Sequence, residues 1–197
     1  MSRRAVAAAV AVVLGPVALA GCVQETAFES ELVACTSGDD GTPANGVVLM
    51  AQAVPTASWV PCLETIPLGW QFTAFDVRND SARFRLESDL IGVHAIGVRF
   101  TASCDTAGAT EIPSDRDGMR RLERVTAVHP QYVGRWFYLF DGGCITLSFK
   151  LTGEDRSEPL AVATQGIGAV PRAELQELVR EETDGRLDLD PPPDAEP

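Results

Sequence analysis

The feature that most constrains the fold is a long run of strand-forming residues over positions 135–151. Aromatic and β-branched side chains fill both halves of this run, and such side chains suit a pleated, buried surface. Asp141-Gly142-Gly143 separates the halves, and glycine supplies the positive φ that a tight turn requires. Successive strand residues face opposite ways, which places Trp136, Tyr138 and Phe140 on one face and Phe137 and Leu139 on the other. The sequence therefore predicts a hairpin that is central to a sheet and covered on both sides.

Alternating residues predict further strands before this hairpin. Residues 70–77 and 82–88 flank an Asn79-Asp80 turn and read as a second hairpin. Strands are also expected at residues 93–101 and 120–128, with a polar loop over residues 105–118. Residues 46–54 are apolar and predict a short helix or a buried segment. The prolines at 55, 61 and 67 indicate an irregular stretch.

The periodicity changes again after the main hairpin. Residues 158–168 are weakly helical, and residues 172–183 form a clearer helix, because Leu175, Leu178 and Val179 fall on one face. Gly185 is a good stop signal. The expected fold is α+β, with a mostly antiparallel sheet of about five to six strands, helices near both sequence ends and two disulfides. A single domain is expected at 35–186, after a polar tether at 22–34 and before a disordered, acidic, Pro-rich tail at 187–197.

The first 22 residues have the organisation of an export signal. Arg3 and Arg4 form a short positive region, and an uncharged run of about 16 residues follows, shorter than the roughly 20 that a spanning helix needs. The run ends in Leu19-Ala20-Gly21-Cys22, which resembles the lipobox of bacterial lipoproteins. The resemblance implies cleavage before Cys22 and attachment of a diacylglycerol to its thiol, which anchors the chain to the extracytoplasmic face of the cell membrane. Sec export is favoured over the twin-arginine route, whose pattern Ser2-Arg3-Arg4 matches only in part.

The charge balance of the chain is strongly acidic. The whole sequence has a net charge of −12, and loss of Arg3 and Arg4 with the signal peptide brings the mature chain to about −14. Phosphate backbones and anionic head groups repel such a surface, so nucleic acid is not an expected partner. Membrane attachment is expected through the lipid on Cys22, and we expect charge repulsion to hold the body away from the bilayer.

Five cysteines occur, and Cys22 is assigned to the lipid. An even number in an exported chain indicates disulfides, and four cysteines allow three pairings. The pairs Cys35–Cys62 and Cys104–Cys144 are favoured, because each closes a modest loop between neighbouring elements. No Cys-x-x-Cys motif and no closely spaced Cys or His pair is present, so a redox or zinc site is not expected.

The body carries a second resemblance. Its residues are Ala51-Gln52, Pro61-Cys62, Gly69-Trp70 and Phe140-Asp141-Gly142-Gly143-Cys144. In these the chain resembles an uncharacterised family of lipoproteins or membrane-anchored proteins of high-GC Gram-positive bacteria. The resemblance implies a location and a lineage but no chemistry.

Few residues suggest a catalytic, metal-binding or anion-binding site. His94 and His129 are the two histidines, but no Gly-x-Ser-x-Gly nucleophile motif accompanies them. Cys144 after the glycine turn is expected in a disulfide rather than as a reactive thiol. Two further groups could carry chemistry, a loop of carboxylates as a calcium site and three strand arginines as an anion site. Their members are Asp105, Glu111, Asp115 and Asp117, and Arg83, Arg85 and Arg99. We expect a solvated loop, and arginines paired with the surplus acids.

These observations leave three function classes. A non-catalytic accessory protein that binds an unknown envelope protein is favoured, since the anchor, the disulfides and the lack of a motif fit it. A receptor for a small ligand predicts a concave pocket with a few converging polar groups. An envelope hydrolase is the least favoured and predicts perturbed titratable groups in a cleft. No catalytic residue, metal ligand or cofactor is assigned.

Overall fold

The computed structural model describes residues 31–36, 41–153 and 157–191. The predicted signal peptide, residues 1–21, and the predicted lipid site Cys22 lie outside these residues. The described elements, in chain order, are α1 (Asn45–Ala53), β1 (Trp59–Leu63), β2 (Gln71–Arg78), β3 (Ser81–Ser88), β4 (Gly92–Thr101), β5 (Thr110–Ile112), β6 (Arg120–Ala127), β7 (Tyr132–Phe140), β8 (Gly143–Leu151), α2 (Ser157–Gln165), β9 (Ile167–Pro171) and α3 (Arg172–Glu182).

A seven-stranded antiparallel sheet dominates the fold. Its strand order is β2-β3-β4-β8-β7-β6-β5, which places β8 at the centre between β4 and β7. Both predicted hairpins are present: β2 and β3 join at Asn79-Asp80, and β7 and β8 join at Asp141-Gly142. Gly142 has a φ of +64°, as its turn position requires. The α+β prediction with a mostly antiparallel sheet is confirmed, with more strands than the five to six expected.

Strands β1 and β9 form a separate antiparallel ribbon that the sequence pattern did not predict. Its register runs from Trp59 opposite Pro171 to Leu63 opposite Ile167. The stretch read as irregular thus contains β1, and the weak helix predicted at 158–168 ends at Gln165. Proline is compatible with the edge of a sheet, where its missing N–H is not needed, so Pro61 and Pro171 are tolerated in a ribbon in which each strand is an edge.

One face of the large sheet carries the core. Every second residue of its central strands is buried there, including Phe84, Phe100, Leu147 and Tyr138. Helix α1 packs against β1, β2 and β3, so it and the ribbon belong to the layer that covers this face. Helix α3 contributes Leu175 and Val179, two of the three residues predicted to line its buried side.

The two favoured disulfides are both present. Cys35 bonds to Cys62 of β1, and Cys104 bonds to Cys144 at the start of β8. The Cα–Cα distances are 4.8 and 5.9 Å, within the usual range for such bonds. The first ties the N-terminal segment to the ribbon. The second ties the connection that follows β4 to the centre of the sheet.

The packed body extends beyond both boundaries expected from the sequence. Val33, placed in the tether by the prediction, is fully buried, and its carbonyl accepts a hydrogen bond from Leu63 N at 2.8 Å. Leu189, placed in the tail, is 6% exposed, and its N–H donates to Gln176 Oε1 at 2.8 Å. The apolar runs here are too short to show a period, Leu32-Val33-Ala34 at one end and Leu187 with Leu189 at the other, which is why sequence alone put these boundaries too far inward. Residues 192–197 of the predicted tail lie outside the described residues.

Candidate functional site

The face of the large sheet opposite the core is polar and rich in arginine. Strand alternation and register place Arg83 and Arg85 of β3, Arg99 of β4, Arg124 of β6 and Arg135 of β7 on this face. We call the surface formed by these five residues the arginine face. The same face carries Asp76 and Glu111, which pair with Arg83 and Arg120, and the chain as a whole has a net charge of −12.

The register brings Arg99 and Arg135 to either side of the central strand. Arg99 lies opposite Thr146 of β8, and Arg135 lies opposite Ser148, two residues further along the same strand. Neighbouring strands are about 4.8 Å apart, so the two arginine backbones are separated by roughly 12 Å. Two long guanidinium side chains that start at this separation can approach one bound group from both sides.

The arginines of this region differ in whether a carboxylate neutralises them. Arg83 contacts Asp76 at 2.8 Å, as does the neighbouring Arg78 at 3.0 Å, and hydrogen bonds from both hold the pKa of Asp76 below its usual range. Within the described part of the chain, no ion pair involves Arg85, Arg99 or Arg135. The prediction that the strand arginines pair with acids is therefore correct for Arg83 and wrong for Arg85 and Arg99, because the cross-strand neighbours of Arg99 carry no carboxylate.

A loop crosses part of the arginine face and makes it concave. This crossing loop, residues 102–109, leaves β4 and is fixed to β8 by the Cys104–Cys144 disulfide and by a 3.0 Å contact between Cys104 Sγ and Thr146 Oγ1. Further along, the carbonyl of Ala107 accepts a hydrogen bond from Arg124 Nη1 at 2.5 Å. The loop is thus held at both ends by residues of the sheet, and the disulfide fixes its position over β8.

Loop and sheet together enclose a cavity of about 420 Å³. We call it the arginine cavity. Two guanidinium groups line it as hydrogen-bond donors. Its hydroxyl groups are mostly engaged within the protein: Thr101 donates to the Ser103 carbonyl, Ser148 donates to the Gly97 carbonyl, and Thr146 contacts Cys104 Sγ. The lining residues are Arg99, Thr101, Ser103, Cys104, Asp105, Arg135, Phe137, Thr146 and Ser148. The carboxylate of Asp105 is partly engaged within the loop, where it accepts a hydrogen bond from Ala107 N at 3.0 Å. The arrangement suits recognition of a carboxylate or phosphate group.

A second cavity of about 430 Å³ lies between the ribbon, helix α2 and residues 113–119. Arg116 crosses this region, since its guanidinium donates to the carbonyl of Ile167 and lies 4.7 Å from the Tyr138 ring. Asp115 Oδ1 accepts from the Tyr138 hydroxyl at 3.0 Å and lies 3.3 Å from Arg121 Nη1. These polar groups are therefore engaged with one another, and the cluster ties the loop to the sheet.

Tyr138 is the most perturbed titratable group of this cluster. Burial, together with the negative charge of Asp115, raises the pKa of Tyr138 to about 12. Its hydroxyl therefore stays protonated across the physiological pH range and acts as a hydrogen-bond donor. Arg121 stacks on Trp136 with its guanidinium carbon 3.9 Å from the ring centre, and its buried Nε has no hydrogen-bond partner among the described residues.

The carboxylates considered for calcium do not converge. Asp105 lies at the arginine cavity, whereas Asp115 contacts Tyr138 near the core face. Glu111 is paired with Arg120 at 2.6 Å, and this contact lowers the pKa of Glu111. Among the described residues no group of three or more Asp, Glu, His or Cys side chains is arranged to hold a metal ion.

The remaining candidates are the two histidines, Cys144 and the aromatic residues of β7. His94 Nε2 lies 3.0 Å from Glu87 Oε1 at the start of β4, and His129 lies in the turn between β6 and β7. Cys144 is in a disulfide, as expected. The aromatic residues of β7 divide as predicted: Trp136 and Tyr138 lie in the core, and Phe137, only 2% exposed, lies below Arg124 on the other face.

Arg135 is the functional candidate that sequence reasoning missed. Its neighbours in the sequence are all aromatic or apolar, so the local pattern indicates a buried strand and does not single out a functional residue. The usable signal was its position in the strand. Adjacent strand residues face opposite sides of a sheet, so Arg135, next to the core residue Trp136, faces away from the core. Its partnership with Arg99, however, depends on the register of β4 and β7 against β8, which no local pattern contains.

Comparison with known proteins does not add an identity. No protein-family model, no curated protein and no solved structure matches the chain. Among the described residues, no helix is long and apolar enough to span a membrane.

Proposed function

We propose that this protein is a lipid-anchored, extracytoplasmic and non-catalytic binding protein of the cell envelope, whose partner presents negative charge to the arginine face. The observation that supports this proposal most directly is the pair Arg99 and Arg135, which line one cavity and form no ion pair with any residue that the structure describes. Unpaired guanidinium groups in an otherwise acidic chain favour an anionic partner and disfavour cationic ones.

The anchor part of the proposal rests on the lipobox resemblance at Cys22. A diacyl chain provides the two hydrocarbon tails that stable membrane attachment requires. Export also accounts for the chemistry of the body, because the Cys35–Cys62 and Cys104–Cys144 disulfides are typical of proteins from oxidising compartments.

The non-catalytic part rests on the groups at the two cavities. At the arginine cavity the Thr101 and Ser148 hydroxyls donate to backbone carbonyls and Asp105 accepts from Ala107 N, so among the described residues no hydroxyl of this cavity is hydrogen-bonded to a carboxylate. At the second cavity, Tyr138 is held protonated and Asp115 is engaged by Tyr138 and Arg121. Neither arrangement provides the acid and base pair that a hydrolase requires.

Crosslinking in intact cells, followed by mass spectrometry, tests the proposal. Four forms are compared: wild type, Cys22→Ser, Arg99→Gln/Arg135→Gln, and a control, Arg180→Gln/Arg186→Gln, which removes the same charge from α3 and the turn after it. We expect one partner to be captured by wild type and by the control, and to be lost from the Arg99/Arg135 variant. Cys22→Ser should move the protein from the membrane to the soluble fraction.

The outcomes separate the two parts of the proposal. Capture that persists in the Arg99→Gln/Arg135→Gln protein contradicts the arginine face as the binding surface. Membrane retention of Cys22→Ser contradicts the lipid anchor. Loss of capture in the control variant as well shows an effect of total charge rather than of this site.

The size of the arginine cavity also favours a second candidate, a receptor for a small anion. Its volume of about 420 Å³ falls within the usual range for small-ligand sites. A ligand that binds only the folded state raises the melting temperature, so inorganic phosphate and citrate can be tested on the Cys22→Ser chain. Stabilisation beyond that given by sodium chloride of equal ionic strength, and absent from Arg99→Gln/Arg135→Gln, supports this candidate.

A further inference from the structure

The outer edge of strand β9 carries backbone groups that do not face its partner strand. In an antiparallel pair, alternate residues direct their N–H and C=O groups toward the neighbouring strand or away from it. Leu63 of β1 directs both groups away from β9, since its N–H donates to the Val33 carbonyl at 2.8 Å and its carbonyl accepts from Cys35 N at 2.9 Å. Ile167, which lies opposite Leu63, therefore directs its groups outward as well, and its carbonyl accepts a hydrogen bond from the Arg116 guanidinium.

The same alternation applies to Ala169, two residues further along β9. Ala169 lies opposite Pro61, which has no N–H, and Arg172 N donates to the Ser58 carbonyl at 2.8 Å, as this register requires. The N–H and C=O of Ala169 thus point away from β1, and among the described residues neither group has a hydrogen-bond partner. A strand edge with a free donor and a free acceptor can pair with the backbone of an extended peptide.

The second cavity, of about 430 Å³, lies along this edge. Residues 167–169 line one side of it, and residues 115–117 with Met119, from the connection that precedes β6, line another. Trp59 also lines the cavity, and its indole packs against Gly118, where a Cβ atom would lie 3.6 Å from Trp59 Cζ2. The cavity thus combines a free backbone edge with an aromatic wall.

The charged side chains that line this cavity have an excess of negative charge. Glu64, Asp115 and Asp117 carry carboxylates, and Arg116 carries a guanidinium. Asp115 is paired with Arg121 at 3.3 Å. In the part of the chain that the structure describes, no ion pair involves Glu64 or Asp117. The cavity therefore favours a cationic group over an anionic one.

Trp59 adds to this preference. The face of an indole ring attracts a guanidinium or ammonium group. Arg121 lies over Trp136 and Arg116 lies over Tyr138, whereas no cation of the described residues lies over the Trp59 ring. A guanidinium suits the cavity better than an ammonium, because its planar group can stack on an indole and donate to a carboxylate at the same time.

We propose that the second cavity binds an arginine side chain carried by an extended segment of a partner protein. The segment pairs its backbone with Ala169, and its guanidinium group lies between Trp59 and the carboxylates of Glu64 and Asp117. This site belongs to the ribbon, on the core side of the large sheet, so the inference does not depend on the arginine face.

Charge also argues against two other occupants of the cavity. The terminal segments of the chain itself do not supply the basic side chain, since residues 23–30 and 192–197 contain acidic residues and no basic ones. A second copy of the chain is disfavoured by its net charge of −12. The partner is therefore expected to be a different protein with an exposed basic segment.

Nuclear magnetic resonance of the isotope-labelled Cys22→Ser chain tests the proposal, with the capped tripeptide Ala-Arg-Ala as the probe. The control peptide carries citrulline in place of arginine, which keeps the shape of the side chain and removes its charge. We expect saturable shifts of the Trp59 indole, Gly118 and Ala169 N–H signals with the arginine peptide. The citrulline peptide should bind about tenfold more weakly, because it forms no ion pair with the carboxylates.

Two carboxylate variants test the charge requirement. Glu64→Gln/Asp117→Asn should weaken binding of the arginine peptide about tenfold. The control Glu177→Gln/Glu181→Gln removes the same charge from α3 and should bind the peptide as wild type does. The dispersion of each spectrum shows at the same time that the variant is folded.

Two further variants test the backbone pairing and the independence of this site. Ala169→Pro deletes an N–H that makes no bond within the ribbon, and it should abolish binding because the edge is blocked. Arg99→Gln/Arg135→Gln should bind the peptide as wild type does, so failure of the arginine face leaves this test intact.

The results that overturn the proposal are equally specific. Equal binding of the arginine and citrulline peptides, or of wild type and Glu64→Gln/Asp117→Asn, overturns the cation site. Wild-type binding by Ala169→Pro overturns the pairing with an extended segment. The absence of saturable shifts at the cavity with up to about 10 mM arginine peptide overturns the site as a whole.

Discussion

Two adjacent arginines on β6 have opposite environments, although the sequence gives them no obvious difference. Arg121 faces the core layer, where its side chain is 14% exposed and stacks on Trp136. Arg120 faces the other way, is 65% exposed and pairs with Glu111. Exposed ion pairs contribute little to stability, whereas an arginine that covers an aromatic ring contributes through packing and through its interaction with the ring.

This contrast gives a matched pair of substitutions. Arg121→Ala should lower the free energy of unfolding by about 2 kcal/mol, since it uncovers Trp136 and removes a partner of Asp115. Arg120→Ala should cost less than about 1 kcal/mol. Urea unfolding monitored by tryptophan fluorescence measures both. Equal losses for the two variants would contradict the assigned environments.

Tyr138 gives the molecule an alkaline transition with a defined direction. Its folded-state pKa is raised to about 12, whereas an unfolded tyrosine titrates near 10. The proton is therefore bound more tightly in the folded state, and the stability that this contributes is complete below about pH 10 and lost as the pH rises through about 12. Burial and the negative charge of Asp115 are the main physical causes.

The prediction concerns the last tyrosine to ionise. Phenolate absorbance should show Tyr138 titrating near pH 12, and Tyr138→Phe should remove that step and flatten the alkaline loss of stability. Tyr132, the one other tyrosine, also has a raised pKa, through burial and the charge of Glu123, and it serves as the internal reference. A Tyr138 that ionises near pH 10 in the folded protein would contradict its burial.

At the level of elements, the tip of the main hairpin is fixed to the ribbon side of the fold. Thr56 Oγ1 donates to the Gly142 carbonyl at 2.6 Å, and Ser58 Oγ donates to the Asp141 carbonyl at 2.9 Å. A Cβ atom on Gly142 would overlap the Thr56 carbonyl oxygen, and the φ of Gly142 is +64°. Gly108 has a similar φ of +71° but open space around it.

Alanine substitutions at the two glycines therefore distinguish the cost of backbone strain from the cost of steric overlap. Gly108→Ala should lower the free energy of unfolding by about 1 kcal/mol, the cost of a positive φ in a residue with a side chain. Gly142→Ala should lower it by clearly more, about 3 kcal/mol, because the hairpin tip must also move away from Thr56. Thermal unfolding of both variants measures the two losses of stability. Equal destabilisation would show that the hairpin tip is not packed as described.

The Cys104–Cys144 disulfide positions the crossing loop, whereas Cys35–Cys62 fastens the N-terminal segment. Replacing either pair by serine should destabilise the protein by about 2 to 5 kcal/mol. Hydrogen exchange should then increase in residues 102–109 when Cys104 and Cys144 are replaced. Replacement of Cys35 and Cys62 should leave exchange in that loop near the wild-type value. The same exchange pattern in both variants would contradict a specific role in shaping the arginine cavity.

The elements differ in how far sequence could predict them. The β7–β8 hairpin follows from local pattern alone, because its turn residues and its side-chain alternation are contiguous. The β1–β9 ribbon pairs Pro61 with Ala169 across most of the chain, and neither partner carries a local strand signal. The site divides in the same way: Arg99 was recognised from its strand, whereas its proximity to Arg135 requires the register of three strands.

At the scale of the whole molecule, the two faces of the large sheet have different surroundings. The core face is covered by α1 and the ribbon, and we propose that the arginine face binds an anionic partner. Binding through that face should weaken as salt is added, because exposed charges are screened within about 10 Å at 0.1 M salt.

The measurement that tests the central claim most directly is photo-crosslinking in cells from a benzophenone amino acid at Ser103, at the rim of the arginine cavity. The same amino acid at Glu181, on the exposed side of α3, is the control. The account predicts one adduct from Ser103 that is absent from Glu181 and lost when Arg99→Gln and Arg135→Gln are added. The same adduct from both positions, or an adduct from Ser103 that survives loss of the two arginines, would contradict the proposed binding face.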